Sequence, residues 1–233
     1  MKKQIALITG ANQGIGLEIA RQLGAQGYRV VLGARDLAKG EAAAASLRAA
    51  GTDARALRLD VSRAEDVAGL PAAFPEGLDV LINNAGVALW TEDSVDAFRR
   101  TFEANVFGVV AVTYALLPLL RESHAGRIVN QSSVLGSLAT LTTSGDSMAA
   151  FINPAYTASK AALNGFTVAL AAKLKGSRVK VNSAHPGWVR TALGGQDAPL
   201  DVAAGAKTAV TLATLPDDGP TGGFYHMGEK LPW

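Results

Sequence analysis

Short apolar runs alternate with longer alanine-rich segments along most of the chain. Runs such as VVLGA and LDVLI are apolar on both faces, which is typical of parallel strands that helices cover on both sides. The pattern therefore predicts an α/β fold, a Rossmann-type, doubly wound parallel sheet in a single domain spanning 1–233. The predicted strands are 4–9, 29–34, 54–60, 78–84, 126–133 and 178–184, and the predicted helices are 14–27, 37–51, 63–73, 93–122 and 154–175.

Composition and charge exclude several classes of partner and site. The formal net charge is +2 and the basic residues are scattered, so we expect no nucleic acid partner. The chain has no cysteine, which excludes disulfides and thiolate metal sites and fits a cytoplasmic enzyme. Because His124, His185 and His226 lack metal-ligand spacing, we predict no metal site. His185 stands beside Pro186, and we favour a loop role for it over a place in the wall of a pocket.

The apolar segments are short for a membrane protein. The run IALI near the start has too few apolar residues for a secretory signal, and the stretch 106–120 is shorter than the roughly 18 residues of a span. We therefore expect no membrane partner and predict that 106–120 forms a buried helix.

A glycine-rich turn follows the first predicted strand. Its GxxxGxG pattern lets the backbone approach a pyrophosphate, while the N-terminus of the next helix offers amide donors. The same glycines would also suit a tight strand-to-helix turn with close packing. The residues that we expect to line this phosphate site are Gly10, Asn12, Gln13, Gly14, Ile15 and Gly16.

The end of the second predicted strand carries a basic residue where an NAD site expects an acidic one to hold the ribose 2′-hydroxyl. Asp36 precedes a helix and fits an N-cap, which leaves Arg35 to bind a 2′-phosphate. Such a charge-assisted contact is worth roughly 1.5 to 3 kcal/mol. The sequence therefore predicts NADP(H) rather than NAD(H), although Arg35 also fits an exposed surface arginine.

Two further strand ends are candidates for cofactor contact. Asp60, followed by Val61, ends the third strand, where its carboxylate suits an adenine amino group or a helix cap. Asn84, Ala85 and Gly86 follow the fourth strand, and their small size suits close passage of a cofactor as well as an ordinary turn. Both segments fall at the carboxyl edge of the sheet, where ligands bind in such folds.

Tyr156 and Lys160 lie four residues apart at a predicted helix start. This spacing places both side chains on one helix face, as many chance polar pairs do. The set of motifs is more specific: TGANQGIG, LDV, NNAG, Asn105 in FEANVFG, Ser133 in IVNQSSVLG, YTASK and HPGWVRT stand in one order. In this order the chain resembles the short-chain dehydrogenase/reductase family over nearly its whole length, and most closely its carbonyl-reductase-like branch.

The resemblance implies roles for four residues. Tyr156 would be the general acid, Ser133 a donor to the substrate oxygen, and Asn105 the holder of a water in a proton relay. Lys160 would bind the nicotinamide ribose and lower the tyrosine pKa, because an ammonium about 5 Å away supplies roughly 3 kcal/mol at an effective dielectric of about 20. Each residue also has a structural alternative: a strand-end cap for Ser132 or Ser133, and a helix polar position for Asn105. The cofactor contacts would include Tyr156, Lys160, Pro186, Gly187, Val189 and Thr191, with Pro186 and Gly187 fitting an ordinary turn as well.

The chain departs from compact family members in the longer interval between Ser133 and Tyr156. We expect an inserted loop near 134–153, including a Gly/Ser/Thr-rich loop at 136–147. Insertions here obstruct the helix surface that the family uses for assembly, so we favour a monomer over a dimer. A substrate loop near 187–201 is short and contains glycine, which suits a mobile lid.

The predicted substrate pocket is apolar, with Trp90, Val134, Phe151 and Trp188 as walls, although ordinary core packing would also explain such residues. We therefore predict an NADPH-dependent carbonyl reductase acting on a hydrophobic ketone or aldehyde. Two alternatives remain: a non-catalytic NADP-binding regulatory protein, and an alcohol dehydrogenase working in the oxidative direction.

Overall fold

The protein is described by a computed structural model over residues 3–143 and 151–233. Its centre is an eight-stranded sheet in the order β3-β2-β1-β4-β5-β6-β7-β8. The strands are β1 Ile5–Thr9, β2 Arg29–Ala34, β3 Ala54–Arg58, β4 Val80–Asn83, β5 Arg127–Gln131, β6 Lys180–Ala184, β7 Phe224–His226 and β8 Glu229–Leu231. β1 to β7 are parallel and β8 is antiparallel to β7, so the predicted doubly wound sheet is confirmed.

Helices cover both faces of the sheet, as the two-sided apolar strands predicted. The helices are α1 Gly14–Ala25, α2 Leu37–Ala49, α3 Ala64–Ala68, α4 Val95–Phe102, α5 Gly108–Glu122, α6 Leu138–Thr143, α7 Pro154–Lys173 and α8 Val202–Ala213. One apolar core packs α1, α2 and α8 on one face, and a second packs α3, α5 and α7 on the other. The carboxyl ends of the parallel strands therefore open between the two layers of helices.

Two predicted segments differ from the structure. In place of the helix predicted over 63–73, the structure has the short α3, which ends at Ala68, and a 3₁₀ turn Pro71–Ala73 that begins with proline. The loop predicted over 136–147 contains helix α6, whose start is held by Ser137, because its hydroxyl accepts the amide of Thr140 at 3.0 Å. Residues 144–147 of that predicted loop lie outside the described residues.

One continuous helical stretch joins α4 to α5 through a π turn at Glu103–Phe107. Among the described residues, this stretch, Val95–Glu122, is the one helix whose length and composition would let it cross a membrane. Half of its most apolar window is buried inside the fold, and core helices of soluble proteins have the same character. The stretch is therefore weak evidence for a membrane span.

Candidate active site

The turn between β1 and α1 is built by glycine backbone. Gly10 and Gly14 adopt φ values of 64° and 58°, a region that side chains disfavour. Gly16 packs so closely that a Cβ there would lie 2.5 Å from Asn84 Nδ2 and 2.6 Å from the Gly10 carbonyl oxygen. Asn84 itself donates to the carbonyls of Thr9 and Gly10, at 2.9 and 3.2 Å. The predicted NNAG segment is thus fastened directly to the glycine turn.

This turn fits the phosphates of a dinucleotide. The cap residue of α1, Gln13, makes no side-chain capping bond, and the first turn contains no acidic residue. Asn12, Gln13 and Ile15 are at least partly exposed on the turn. The N-terminal amides and dipole of α1 therefore face a position that suits an anion. A Cβ on Gly14 would lie 3.6 Å from the Thr191 methyl group, so the predicted substrate loop, 187–201, approaches the glycine turn.

The end of β2 presents the expected basic residue. Asp36 is the N-cap of α2, because its carboxylate accepts the amide of Lys39 at 3.1 Å. Arg35 is exposed, and among the described residues it forms no hydrogen bond or ion pair. The predicted cap is confirmed, and the guanidinium is left at the edge where the ribose of a dinucleotide is expected.

Asp60 lies beside the same edge without capping α3, whose cap residue is Arg63. Burial raises the pKa of Asp60, but two hydrogen bonds from Ser62 and the charges of Arg35 and Arg63 outweigh it, so the pKa is lowered overall. Of the two roles open to Asp60, the helix cap is excluded. Val61 packs against α5, since a Cβ on Gly108 would lie 2.8 Å from Val61 Cγ2.

Ser133, Tyr156 and Lys160 meet at the carboxyl ends of β5 and its neighbours. Ser133 follows β5, and its side chain lies near enough to the Tyr156 phenol to lower the pKa of that group. Tyr156 and Lys160 lie on the buried face of α7, with Lys160 Nζ 5.5 Å from the centroid of the tyrosine ring. Lys160 Nζ donates to the Gln131 carbonyl at 2.8 Å. The sequence spacing of these residues therefore becomes one compact cluster.

The tyrosine pKa moves in the direction opposite to the one expected. Burial raises the pKa of Tyr156 to about 12, although the neighbouring Ser133 side chain lowers it. Burial also lowers the pKa of Lys160 to about 8. The expectation that Lys160 lowers the tyrosine pKa is wrong for the chain by itself, because burial dominates and the ammonium is directed at the Gln131 carbonyl.

Asn105 lies in the π turn and is fully buried. Its Oδ1 accepts the amide of Val87 at 2.8 Å, and its Nδ2 donates to the Val87 carbonyl at 2.9 Å and to Ser159 Oγ at 3.0 Å. A Cβ on the adjacent Gly86 would lie 3.1 Å from Asn105 Oδ1 and 3.7 Å from Lys160 Nζ. The side chain of Asn105 thus holds the segment after β4 next to the lysine.

The segment after β6 closes the other side of the cluster. Gly187 has a φ of 86°, and His185 lies two residues before it. His185 Nδ1 accepts the amides of Val134 at 3.3 Å and Gly187 at 3.4 Å, while burial and then the neighbouring His226 lower its pKa to about 3. The loop role predicted for His185 agrees with these contacts. Pro186 and Val189 belong to the same segment, and Thr191 faces Gly14 as described above.

Of the four predicted pocket residues, Trp90 contacts the Tyr156 ring, and Phe151 and Trp188 pair with each other. The rings of Trp90 and Tyr156 are 5.1 Å apart, and those of Phe151 and Trp188 are 5.3 Å apart. Trp90, Phe151 and Trp188 are exposed, so they are not ordinary core residues. Val134 is joined through its amide to His185.

Two positioning residues were missed by the sequence analysis. Asn153 caps α7 by accepting the amide of Tyr156 at 3.0 Å, and an Asn-Pro pair at a helix start is a signal that could have identified it. Gly136 lets the serine loop touch α7, because a Cβ there would lie 2.6 Å from the Lys160 carbonyl carbon. No local sequence signal marks that contact.

The part of the chain that the structure describes contains no group of three or more histidine or acidic side chains able to hold a metal ion.

Solved structures with the same architecture are numerous. The NADPH-bound carbonyl reductase from chicken fatty liver matches with a TM-score of 0.85 and 26% identity, covering 100% of both chains. Salutaridine reductase from Papaver somniferum matches with a TM-score of 0.83 and 31% identity, covering 96% of this chain and 99% of its own. These likenesses extend over the whole sheet and both helical layers.

Sequence relatives give the same result. Carbonyl reductase [NADPH] 1 of Mus musculus is 33% identical, and the match covers 99% of both chains. The short-chain dehydrogenase anuI of Penicillium roqueforti is 36% identical, covering 91% of this chain and 89% of its own. The family model for short chain dehydrogenase matches residues 4–199. The chain therefore belongs to the short-chain dehydrogenase/reductase family of oxidoreductases, in its carbonyl-reductase-like branch.

Proposed function

We propose that the protein is an NADP(H)-dependent carbonyl reductase that reduces a hydrophobic ketone or aldehyde with Tyr156 as the proton donor. The observation that carries this proposal is the contact between the Ser133 hydroxyl and the buried Tyr156 phenol, with Lys160 beside the same ring. A carbonyl oxygen that is being reduced needs a hydrogen-bond donor and then a proton. The neighbouring hydroxyls of Ser133 and Tyr156 can supply them.

The residues present fit NADP(H). The glycine turn and the N-terminus of α1 would hold the pyrophosphate, and Arg35 would bind the 2′-phosphate. Similarity to a carbonyl reductase whose structure contains NADPH supports the same choice. When bound, NADPH supplies the hydride for carbonyl reduction.

The chain's own residues would handle the proton. Ser133 would donate a hydrogen bond to the substrate oxygen and orient it, and the Tyr156 phenol would transfer its proton to that oxygen. With a pKa raised to about 12, the phenol carries its proton throughout the neutral range, which suits the reductive direction. Oxidation of an alcohol needs the phenolate, and the ratio of reduced to oxidised cofactor sets the direction of the reaction.

Lys160 and Asn105 would support this transfer. The buried ammonium of Lys160 would stabilise negative charge that develops on the phenol oxygen, and it is itself held by the Gln131 carbonyl. Because both ends of the Asn105 amide are engaged with Val87 and Ser159, a relay water would have to be held by its backbone carbonyl in the π turn. The side chain then has a positioning role.

The substrate proposal depends on the aromatic surroundings of Tyr156. Trp90, Trp188 and Phe151 present exposed rings at the entrance, so a carbonyl compound with an apolar substituent gains contact area there. A cytoplasmic location and a monomeric state remain predictions from the sequence.

The direct test compares Tyr156→Phe with the unchanged protein in NADPH oxidation by a panel of aryl ketones and aldehydes. We expect kcat/KM to fall roughly 10²- to 10⁴-fold, because the general acid is lost, while the Kd for NADPH changes by less than about twofold. Tyr114→Phe is the matched control, since this tyrosine lies exposed on α5.

Full activity of Tyr156→Phe would refute the assigned proton donor. Tight NADPH binding without turnover of any carbonyl by the unchanged protein would instead favour a regulatory, non-catalytic protein.

A further inference from the structure

The tip of the substrate loop accepts hydrogen bonds from two indole groups, one outside the loop and one within it. Trp90, which follows β4, donates its Nε1–H to the Leu193 carbonyl at 3.0 Å, across 103 residues of sequence. Trp188, which follows β6, donates its Nε1–H to the next carbonyl, that of Gly194, at 2.6 Å. Two adjacent carbonyls are therefore bound by side chains that belong to different strand ends.

The base of the same loop is stabilised by contacts of its own. The amide of Arg190 donates to the Leu200 carbonyl at 2.8 Å, and the Arg190 guanidinium donates to the carbonyls of Ala198 and Pro199, each at 2.9 Å. Gly194 donates its amide to Thr191 Oγ1 at 3.0 Å. The bond from Trp90 thus differs from the others, because it joins the loop to the segment that follows β4.

Trp90 is itself fixed to the start of the catalytic helix. Asn153 accepts the amide of Tyr156 and donates its Nδ2 to the carbonyls of Leu89 at 3.2 Å and Glu92 at 3.4 Å. These two carbonyls flank Trp90 in the chain. The turn that carries Trp90 is therefore hydrogen-bonded to the start of the helix that carries Tyr156.

The ring of Trp90 also contacts the catalytic tyrosine. Its centroid lies 5.1 Å from that of Tyr156, with an angle of 52° between the rings. Trp90 remains 44% exposed, so its other surface faces solvent at the entrance. One side chain thus borders the reacting phenol and reaches the loop tip.

We propose that Trp90 is a specificity-determining residue that limits the width of the substrate entrance by bridging Tyr156 and Leu193. This inference rests on the proposed carbonyl reductase function. A carbonyl compound with slim or planar substituents would pass beside the indole, whereas a compact branched substituent next to the carbonyl would have to part Trp90 from the loop.

The bridge is tested first without cofactor or substrate, by hydrogen–deuterium exchange of peptides covering 188–200. Trp90→Phe keeps an aromatic ring and removes the donor, so exchange at the loop tip should rise roughly two- to tenfold, as expected for one lost hydrogen bond. Trp188→Phe is the comparison variant and should raise exchange at the same tip. Unchanged exchange in Trp90→Phe would overturn the bridge.

The specificity role is tested with acetophenone and tert-butyl phenyl ketone as substrates. The ratio of kcat/KM for the branched ketone to that for acetophenone should rise roughly tenfold or more in Trp90→Ala relative to the unchanged protein. Tyr114→Phe should leave this ratio within about twofold, because this tyrosine lies exposed on α5 and the Trp90 wall is retained. An unchanged ratio in Trp90→Ala would refute the role of Trp90. Absence of turnover with both ketones and other carbonyls in every protein would refute the proposed function instead, and the exchange result would still stand.

Discussion

The glycine turn after β1 and the substrate loop after β6 lie at the same edge of the sheet, yet they are held in different ways. The turn depends on backbone: Gly10 and Gly14 have positive φ values, and Gly16 leaves no room for a side chain. The loop tip depends on hydrogen bonds from Trp90 and Trp188 to backbone carbonyls. A ligand can displace two such bonds, each worth about 1 kcal/mol, whereas it cannot remake a close-packed turn. The difference suits a fixed phosphate site beside an entrance that adapts to substrate.

The largest expected effect is at the turn. Gly16→Ala would place a Cβ against Asn84 Nδ2 and the Gly10 carbonyl, so we expect a loss of about 3 kcal/mol in the free energy of unfolding and a loss of NADPH binding. Urea denaturation and fluorescence titration with NADPH measure the two effects.

Gly165→Ala provides the matched control for that change. Gly165 is an exposed residue inside α7, and a Cβ there would meet nothing within 4 Å. Replacing a helical glycine at such a site should stabilise the protein by about 0.5 to 1 kcal/mol. Equal effects at Gly16 and Gly165 would contradict the close packing assigned to the turn.

The next effect concerns Arg35 at the far end of the phosphate site. Arg35→Ala should reduce the preference for NADPH over NADH roughly ten- to a hundredfold, because a charge-assisted contact with the 2′-phosphate is lost. Arg48→Ala is a suitable control, since Arg48 lies exposed at the end of α2 and away from β2's carboxyl edge. The measurement is the ratio of kcat/KM for the two cofactors. An unchanged ratio would show that Arg35 does not bind the 2′-phosphate.

A smaller effect is expected when the pH is raised, and it concerns the cluster of Ser133, Tyr156 and Lys160. Because burial lowers the pKa of Lys160 to about 8, kcat/KM for reduction should fall about tenfold per pH unit above that value as the ammonium loses its proton. Lys160→Arg keeps the charge and should abolish this decline, whatever its absolute rate. A decline that persists in Lys160→Arg would assign the titration to another group.

The same pKa shift affects stability with a definite sign. The unfolded chain binds the Lys160 proton more tightly, so this residue's contribution to the free energy of unfolding increases between about pH 8 and 10.5. Tyr156 has the opposite effect, because folding raises its pKa from 10.0 to about 12. Its contribution to the free energy of unfolding therefore decreases between about pH 10 and pH 12.

The contrast between the two regions also explains what the sequence could predict. Strands, the glycine turn and the Asp36 cap depend on neighbouring residues, so local patterns indicated them correctly. The direction of the Tyr156 pKa shift was wrong because burial depends on packing from α7 and the segments around it. The bond between Trp90 and Leu193 joins residues 103 positions apart, and no local pattern encodes such a contact. Helix α6 was missed because its Thr-rich, Gly-flanked sequence resembles a loop.

The smallest expected effect tests whether Asp36 serves as a helix cap and makes no contact with the cofactor. Asp36→Ala removes the carboxylate that accepts the Lys39 amide, so the free energy of unfolding should fall by about 1 kcal/mol. For a chain of this length that corresponds to a decrease of about 2 to 4 °C in Tm, measurable by calorimetry. The KM values for NADPH and NADH should both stay within about twofold of the unchanged protein's, since the carboxylate is engaged with the helix.

Asp36→Asn serves as the conservative variant, because asparagine also caps helices and should restore most of the stability. If Asp36 instead contacted the ribose, both substitutions would raise the KM for NADH, and the stability change would not account for it. A selective rise for NADH would therefore transfer the discriminating role from Arg35 to Asp36. Unaltered KM values combined with the lower Tm would establish that neighbouring residues at the end of β2 have separate tasks, one in the helix and one at the cofactor.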